Sequence, residues 1–179
     1  MSQKNLFFEG SAHVPLLIMP PQGRSLPQNI SVEAPTDLVD LYPTILAMAG
    51  LSSPVSVSGR NLLEPVPMDR IFFGNSLNRN FCVMEEKVKL VYSAVGDHVL
   101  LFDLNTDPRE QHNLGEDPAW KERKAKRWKL LLGHTAQYTP EALDEKGQFL
   151  TYEAPHFPGD VPGRWFGFHY HDYSVDTFH

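Results

Sequence analysis

The apolar run at residues 14–19, which reads VPLLIM and is followed by two prolines, most constrains how this chain can fold. Six consecutive residues without a charge, closed by proline, predict a strand that is apolar on both faces. Strands of that kind are typical of parallel sheets that helices cover on both sides. Because one strand cannot form a sheet, we expect this strand to belong to an α/β core whose other strands lie outside this chain.

A helix is predicted at residues 36–50, which read TDLVDLYPTILAMAG. Thr36 can cap its start, apolar side chains recur at helical spacing along one stripe, and Gly50 can supply the left-handed stop. Pro43 lies inside the segment and is expected to kink the helix or to restart it there.

The sequence period changes to two after residue 70, where short strands separated by tight turns predict an antiparallel sheet. These strands are predicted at residues 71–74, 80–85, 87–93 and 98–103. Asp117 and Pro118 then provide the start of a second helix, and Gly133 provides its end. We divide the chain into a piece of an α/β core at residues 1–69, a sheet-and-helix subdomain at 70–146, and an aromatic, Gly/Pro-rich tail at 147–179.

The composition, with 41% hydrophobic and 21% charged residues among 179, describes a soluble globular domain or a piece of a larger one. The net charge of −6 gives no reason to expect nucleic-acid binding. The single cysteine, Cys82, excludes a disulfide within the chain. No apolar run approaches the roughly 20 residues that cross a bilayer. Residues 1–10 lack the pattern of a signal peptide, and the sequence assigns no compartment.

Three stretches carry motifs in a characteristic order: KNLFFEGSAHVPLLIMPP at residues 4–21, TDLVDLYPTILAMAGL at 36–51 and LVYSAVGDHVLLFDLNTDPREQHNL at 90–114. They resemble the lysine–aromatic–acid–glycine turn before a VPL strand, the D-x-x-PT-x-x-x-x-AG helix and the closing LYDL-x-x-DP-x-E-x-x-NL hairpin of sulfatases, in the alkaline-phosphatase-like superfamily. The resemblance implies the C-terminal part of an alkaline-phosphatase-like α/β fold. One strand and one helix of the central sheet would be followed by a small antiparallel α+β subdomain.

The resemblance implies that the intact parent protein hydrolyses sulfate esters. In that family a cysteine matured to formylglycine attacks sulfur, and a calcium ion held by Asp and Asn side chains polarises the sulfate oxygens. Lys4 matches the family's lysine that contacts the sulfate. His13 stands where the family commonly has an arginine near the pocket. An imidazole at this position can hydrogen-bond substrate or cap the strand entry, and both interpretations stay open.

The family's nucleophile and metal ligands are not expected in this chain. The maturation motif is a cysteine followed by x-(Pro/Ala)-x-Arg, whereas VMEE follows Cys82, which we interpret as a packed core thiol. The DHG-type metal-binding element and the other acidic ligands are also missing, so the isolated chain is expected to be inactive. Residues 14–19 would need cover, which predicts self-association, a complementary N-terminal half, or packing of the tail over them.

Two further functional interpretations stay open. A phosphodiesterase or phosphonate monoester hydrolase shares these C-terminal motifs. A non-catalytic binding module would use the basic run KERKAKRWK at residues 121–129 and the aromatic tail, although such a run is more often a solvated helix face. The acidic residues receive structural roles: turn geometry for Glu9 and for the loop with Asp103, Asp107 and Glu110, and helix-dipole interactions for Asp37 and Asp40.

Overall fold

The computed structural model describes residues 6–19 and 31–153, together with the backbone of 164–165 and 168–169. The chain forms two compact units. The larger comprises Met1–Val14 and Phe73–His179, and the smaller comprises Pro15–Phe72. Within the described residues, no helix has the length and apolar character needed to span a bilayer.

The larger unit is built on a four-stranded sheet in the order β1-β2-β3-β4. These strands are β1 at Phe72–Ser76, β2 at Asn80–Glu85, β3 at Val88–Ser93 and β4 at His98–Asp103. β3 pairs antiparallel with both β2 and β4, which confirms the predicted sheet with small shifts at the strand ends. The β2–β3 turn consists of Glu86 and Lys87, both with positive φ, and such a turn matches the natural twist of the strands.

Helix α3, Lys121–Tyr138, covers one face of this sheet. Trp128 of α3 makes an edge-on contact with Tyr92 of β3, with ring centroids 4.9 Å apart. Phe149, which follows the helix, packs against both Tyr92 and Phe81 at 4.6 Å. Each such aromatic pair contributes about 0.5–1.5 kcal/mol beyond its buried area, so this cluster holds α3 on the sheet.

Helix α3 starts where the sequence predicts but ends later. Asp117 accepts a backbone N–H at 2.9 Å, and Pro118 begins the short 3-10 turn that leads into the helix. The predicted end at Gly133 is wrong, because the helix continues through this residue to Tyr138. Thr135 is buried beyond the glycine, and packing there outweighs the cost of about 1 kcal/mol for one glycine in a helix.

The basic run at residues 121–129 is not a uniformly solvated face, which corrects that interpretation. Arg127 is 2% exposed, and its guanidinium donates to backbone carbonyls at the end of β2 and the start of β3 at 2.9 and 3.1 Å. Lys126 pairs with the Glu85 carboxylate at 2.7 Å, and Lys124 donates to a loop carbonyl at 2.6 Å. Several cations of the run therefore attach α3 to its surroundings.

The predicted helix of the smaller unit forms as a 3-10 turn at Leu38–Asp40 followed by α2 at Leu41–Ala49. Asp37, rather than Thr36, caps it by accepting a backbone N–H at 2.6 Å. Gly50 ends α2 with a φ of 76°, as predicted. Pro43 lies in the first turn of α2, where a missing N–H breaks no helical hydrogen bond, so the helix restarts just ahead of it.

Asp40 is completely buried and organises the smaller unit. Arg70 donates to its two carboxylate oxygens at 2.5 and 2.9 Å, and the backbone N–H groups of Arg60 and Asp37 each donate at 2.8 Å. Burial opposes the charge of Asp40, but these donors outweigh burial and hold its pKa below the ordinary value. The expected structural role is confirmed, although it comes from a buried ion pair.

Residues 14–19 do not form a strand, so that prediction is wrong. Leu17 and Met19 are 93% and 85% exposed. A strand needs a neighbouring strand for its N–H and C=O groups, and none within the described ranges lies beside this segment. Of the predicted tail, residues 147–153 are described, and Phe149 packs on Phe81 and Tyr92 of the sheet. Packing of the rest of the tail over residues 14–19 lies outside the described residues and stays a prediction. Backbone pairing joins β5, Arg164–Trp165, antiparallel to β6, Phe168–His169.

Candidate functional site

The α1 segment (residues 6–13) contains the predicted site residue His13 and lies on the face of the sheet opposite α3. Phe8 packs against Phe102 of β4, with ring centroids 6.0 Å apart. Phe102 pairs with Lys89 and points away from the Tyr92 face. Helix α1, Glu9–Ala12, is a single turn that begins directly after the extended Phe8. The aromatic contact therefore anchors the start of this turn.

A buried lysine joins the α1 segment to the sheet. Lys89 of β3 is 2% exposed, and its ammonium donates to the Phe7 carbonyl at 3.0 Å, to Glu110 Oε1 at 2.9 Å and to Glu9 Oε1. The other oxygen of Glu110 accepts the backbone N–H of Glu9 at 2.6 Å. An ammonium has three N–H donors, and each has an acceptor here. We call Lys89, Glu9 and Glu110 the Lys89 cluster.

Lys89 keeps its positive charge despite its burial. Burial lowers the pKa of Lys89, but the hydrogen bonds to Glu9 and Glu110 outweigh it, so the pKa lies above the ordinary lysine value. The Glu110 side chain is 3% exposed, and burial raises its pKa against the opposing effect of Lys89. Loss of the ammonium would leave the Glu110 carboxylate buried without its charged partner, which is the costly case for a buried ion pair.

His13 lies at the exposed end of the α1 segment. Its Nδ1 is 2.9 Å from Glu9 Oε2, one helical turn earlier, and its side chain is 78% exposed. The Glu9 carboxylate thus bridges a buried ammonium and an exposed imidazole. With Nδ1 engaged, Nε2 is the ring nitrogen that can hydrogen-bond an incoming polar group.

The predicted site residues are only partly described by the structure. Lys4 lies outside the described residues, so its sulfate contact stays a prediction. The interpretation of Glu9 and Glu110 as turn residues is incomplete, because each also pairs with a lysine that lies 80 or 21 residues away. Sequence reasoning missed Lys89 itself, and the available signal was a lysine near the start of an otherwise largely apolar strand.

The remaining candidates have structural roles. Asp103 accepts from the Asn105 side chain at 2.9 Å, and Asp107 accepts the His112 backbone N–H at 2.8 Å. Across the described part of the chain, no three His, Cys, Asp or Glu side chains are grouped to hold a metal ion, so these residues do not fit a calcium site. Cys82 is fully buried, and burial raises its pKa to about 12, so it is a core thiol and does not fit the formylglycine position.

Sequence comparison with known proteins finds sulfatases. No protein-family model matches the chain. Arylsulfatase K of Xenopus laevis is 29% identical over 172 residues, which cover 84% of this chain and 32% of that protein. Arylsulfatase K of Bos taurus is 33% identical over 130 residues, which cover 62% and 24%. The chain thus spans about a quarter to a third of the length of these curated relatives.

Solved structures of hydrolases are similar to part of the chain. The phosphonate monoester hydrolase of Agrobacterium radiobacter matches 65% of this chain and 29% of its own, with 25% identity and a TM-score of 0.48. The sequence relatives agree with the resemblance to the C-terminal part of a sulfatase. The chain is therefore a homologue of the arylsulfatases and matches part of their length.

Proposed function

We propose that this chain is part of a sulfate ester hydrolase and that its α1 segment forms one edge of the substrate pocket. The observation that carries the proposal is the anchoring of this segment by the Lys89 cluster, which fixes a turn with His13 at its exposed end. Lys4 precedes the same turn in the sequence. Homology to arylsulfatases supports the reaction class.

The reaction requires fixed positive charge and hydrogen-bond donors. Hydrolysis of a sulfate ester develops negative charge on the leaving oxygen, and preorganised donors lower the barrier most when they already point there. On this proposal the Lys4 ammonium contacts the sulfate group, and His13 hydrogen-bonds the substrate through Nε2. The family's aldehyde hydrate and calcium would supply the nucleophile and polarise the sulfate. Both are expected from other parts of the parent protein, because the described residues fit neither.

The isolated chain is then expected to be inactive and to need a partner surface. Several large apolar side chains outside the α1 segment are exposed, among them Leu17, Met19 and, on α2, Ile45. Such side chains favour cover by another protein surface. We propose that the complementary part of the sulfatase covers these side chains. When that part is absent, a second copy of the chain is expected to cover them instead.

The test compares this chain with a version extended through the coding sequence that precedes it in its genome. Calcium is present, the formylglycine-generating enzyme is co-expressed, and the substrates are an aryl sulfate, an aryl phosphodiester and an aryl phosphonate monoester. The expected result is sulfate release by the extended protein alone. Preferred turnover of a phosphorus ester would favour the phosphodiesterase or phosphonate hydrolase alternative. Activity in the short chain would contradict the proposal, and none in either protein would favour a binding module.

Variants in the extended protein connect any activity to the α1 segment. His13→Ala and Lys4→Ala should each lower kcat/KM by about a hundredfold, the usual loss when one donor to a developing charge is removed. His112→Ala is the matched control, because His112 is also exposed beside a carboxylate. Equal activity in all three variants and in the unmutated extended protein would show that the α1 segment does not contribute to the reaction.

A further inference from the structure

We propose that Glu9 is a positioning residue that holds the His13 imidazole with hydrogen on Nδ1 and Nε2 directed to substrate, and that Lys89 and Glu110 hold Glu9 in place. The substrate in this statement rests on the proposed function. The positioning itself rests on contacts within the larger unit.

The first step concerns the proton on the imidazole. A carboxylate only accepts hydrogen bonds, so the ring nitrogen that lies 2.9 Å from Glu9 Oε2 must donate. Nδ1 of His13 therefore carries the hydrogen. A neutral ring then has its lone pair on Nε2 and can accept from a substrate hydroxyl, whereas a protonated ring can donate from Nε2 to a sulfate oxygen. The hydrogen-bond partner of Nδ1 thus determines whether Nε2 accepts or donates a hydrogen bond in each protonation state of the ring.

The second step concerns the rigidity of Glu9. Its Oε1 accepts from the buried Lys89 ammonium, and its backbone N–H donates to Glu110 Oε2 at 2.6 Å. Lys89 also holds the carbonyl of Phe7, two residues earlier, at 3.0 Å. The side chain and the backbone of Glu9 are both fixed by groups on the sheet. Rotation of its carboxylate away from His13 would leave the buried ammonium one acceptor short.

The third step is a comparison within the same unit. Asp107 and His112 form another carboxylate–imidazole pair, in which Nδ1 lies 3.5 Å from Asp107 Oδ2. That same oxygen already accepts the backbone N–H of His112 at 2.8 Å. The His112 ring is therefore held less closely than the His13 ring. The Asp107–His112 pair is therefore a control: it shows how a carboxylate orients a neighbouring imidazole when the Lys89 cluster does not hold that carboxylate.

The tautomer of His13 can be read directly by ¹⁵N NMR of the histidine-labelled chain at about pH 8, where an ordinary imidazole is neutral. We expect hydrogen on Nδ1 in the wild-type chain and a mixture of tautomers in Glu9→Gln, because an amide can donate as well as accept. His13→Gln identifies the signal. Hydrogen mainly on Nε2 in the wild-type chain, or no change in Glu9→Gln, would overturn the positioning role.

Further variants test the anchor and the specificity of the effect. Glu110→Gln keeps the side-chain volume but weakens the hold on Lys89 and on the Glu9 N–H, so the His13 signal should shift in the same direction as in Glu9→Gln. Asp107→Asn should leave the His13 signal unchanged. A His13 signal that responds to Asp107→Asn and ignores Glu110→Gln would contradict anchoring by the Lys89 cluster.

Kinetics in the extended protein test the link to substrate. Glu9→Gln should lower kcat/KM by at least about tenfold, similar to the loss when a metal-ligating imidazole loses its orienting partner. The Glu9→Gln/His13→Gln double variant should lose no more than His13→Gln alone, because both residues act through one ring. Additive losses would overturn the shared action. If the extended wild-type protein hydrolyses no ester, the proposed function fails, while the tautomer measurement still decides the positioning.

Discussion

The Nζ atom of Lys89 on β3 lies 2.9 Å from Oε1 of Glu110, and both side chains are almost completely buried. Glu110 also has a positive φ of 56°, a conformation that costs a non-glycine residue about 1–3 kcal/mol. The ion pair and the N–H donated by Glu9 offset this cost. Glu110 therefore combines two roles in the loop after β4: it adopts the backbone conformation with positive φ, and it supplies the buried negative charge that pairs with Lys89.

Replacement of Lys89 with methionine is expected to destabilise the chain by about 3–5 kcal/mol, because the buried Glu110 carboxylate loses its ammonium partner. Urea unfolding followed by tryptophan fluorescence measures the loss, since Trp128 packs in the sheet–helix core. The double variant Lys89→Met/Glu110→Gln is the control and should recover part of the stability. A loss below about 1 kcal/mol in the single variant, as for a surface ion pair, would count against the cluster.

The Asp40–Arg70 pair predicts acid sensitivity. The pKa of Asp40 is lower in the folded chain than in the unfolded chain, so its stabilising contribution is complete above about pH 4 and is lost as the pH falls through the folded pKa. Asp40→Asn should lower stability at pH 7 and flatten the decline below about pH 4. Urea midpoints across this range measure the slope, and Asp69→Asn is the exposed control. Equal slopes in the wild-type and Asp40→Asn chains would refute this account.

The contact between His134 of α3 and Phe73 of β1 predicts a second pH dependence. The two rings stack with centroids 4.0 Å apart and an interplanar angle of 8°, and burial lowers the pKa of His134. The contribution of neutral His134 to folding stability is complete above the pKa of an unfolded histidine, about 6.5. It is lost as the pH falls through the lower pKa of His134 in the folded chain. His134→Phe keeps the stack without the titration. The Tm of the wild-type chain should therefore fall relative to this variant between about pH 7.5 and pH 5. A constant difference would contradict the prediction.

Exposed apolar side chains after the α1 segment predict that the isolated chain binds a hydrophobic dye and self-associates. Leu17→Ser/Met19→Ser should reduce dye fluorescence and the mass seen by light scattering. Tm should stay unchanged, because both side chains are more than four-fifths exposed. Leu77→Ser is the control, since Leu77 is 80% exposed in a turn by itself. A monodisperse wild-type monomer with little dye binding would contradict this expectation.

The sheet could be predicted because its signal is local. Short, mostly buried runs separated by tight turns define β2, β3 and β4, and a two-residue turn at Glu86 and Lys87 connects the first pair. The start of α3 is equally local, because Asp117 and Pro118 lie next to the residues that they cap. The end of α3 could not be predicted in this way, since the helix continues past Gly133 to the buried Thr135 and to His134, which stacks on the distant Phe73.

The candidate site could be predicted only in part, because its contacts join distant positions. A lysine–aromatic–acid motif marks the α1 segment, but nothing near Glu9 indicates that Lys89 would be its partner. The run at residues 14–19 has the composition of a strand, yet composition cannot supply a neighbouring strand. His13 was identified by its place in a motif, whereas its carboxylate partner became visible only in the folded turn.

The sequence separation of 80 between Glu9 and Lys89 also suggests an order of assembly. β2, β3 and β4 join through short connections, whereas docking of the α1 segment must close a long loop at a greater entropic cost. Short-range pairings form faster than long-range ones, so we expect the sheet to form before the segment docks on it. The turn proposed to touch substrate is then expected to be among the last parts of its unit to fold and among the first to detach when the unit opens.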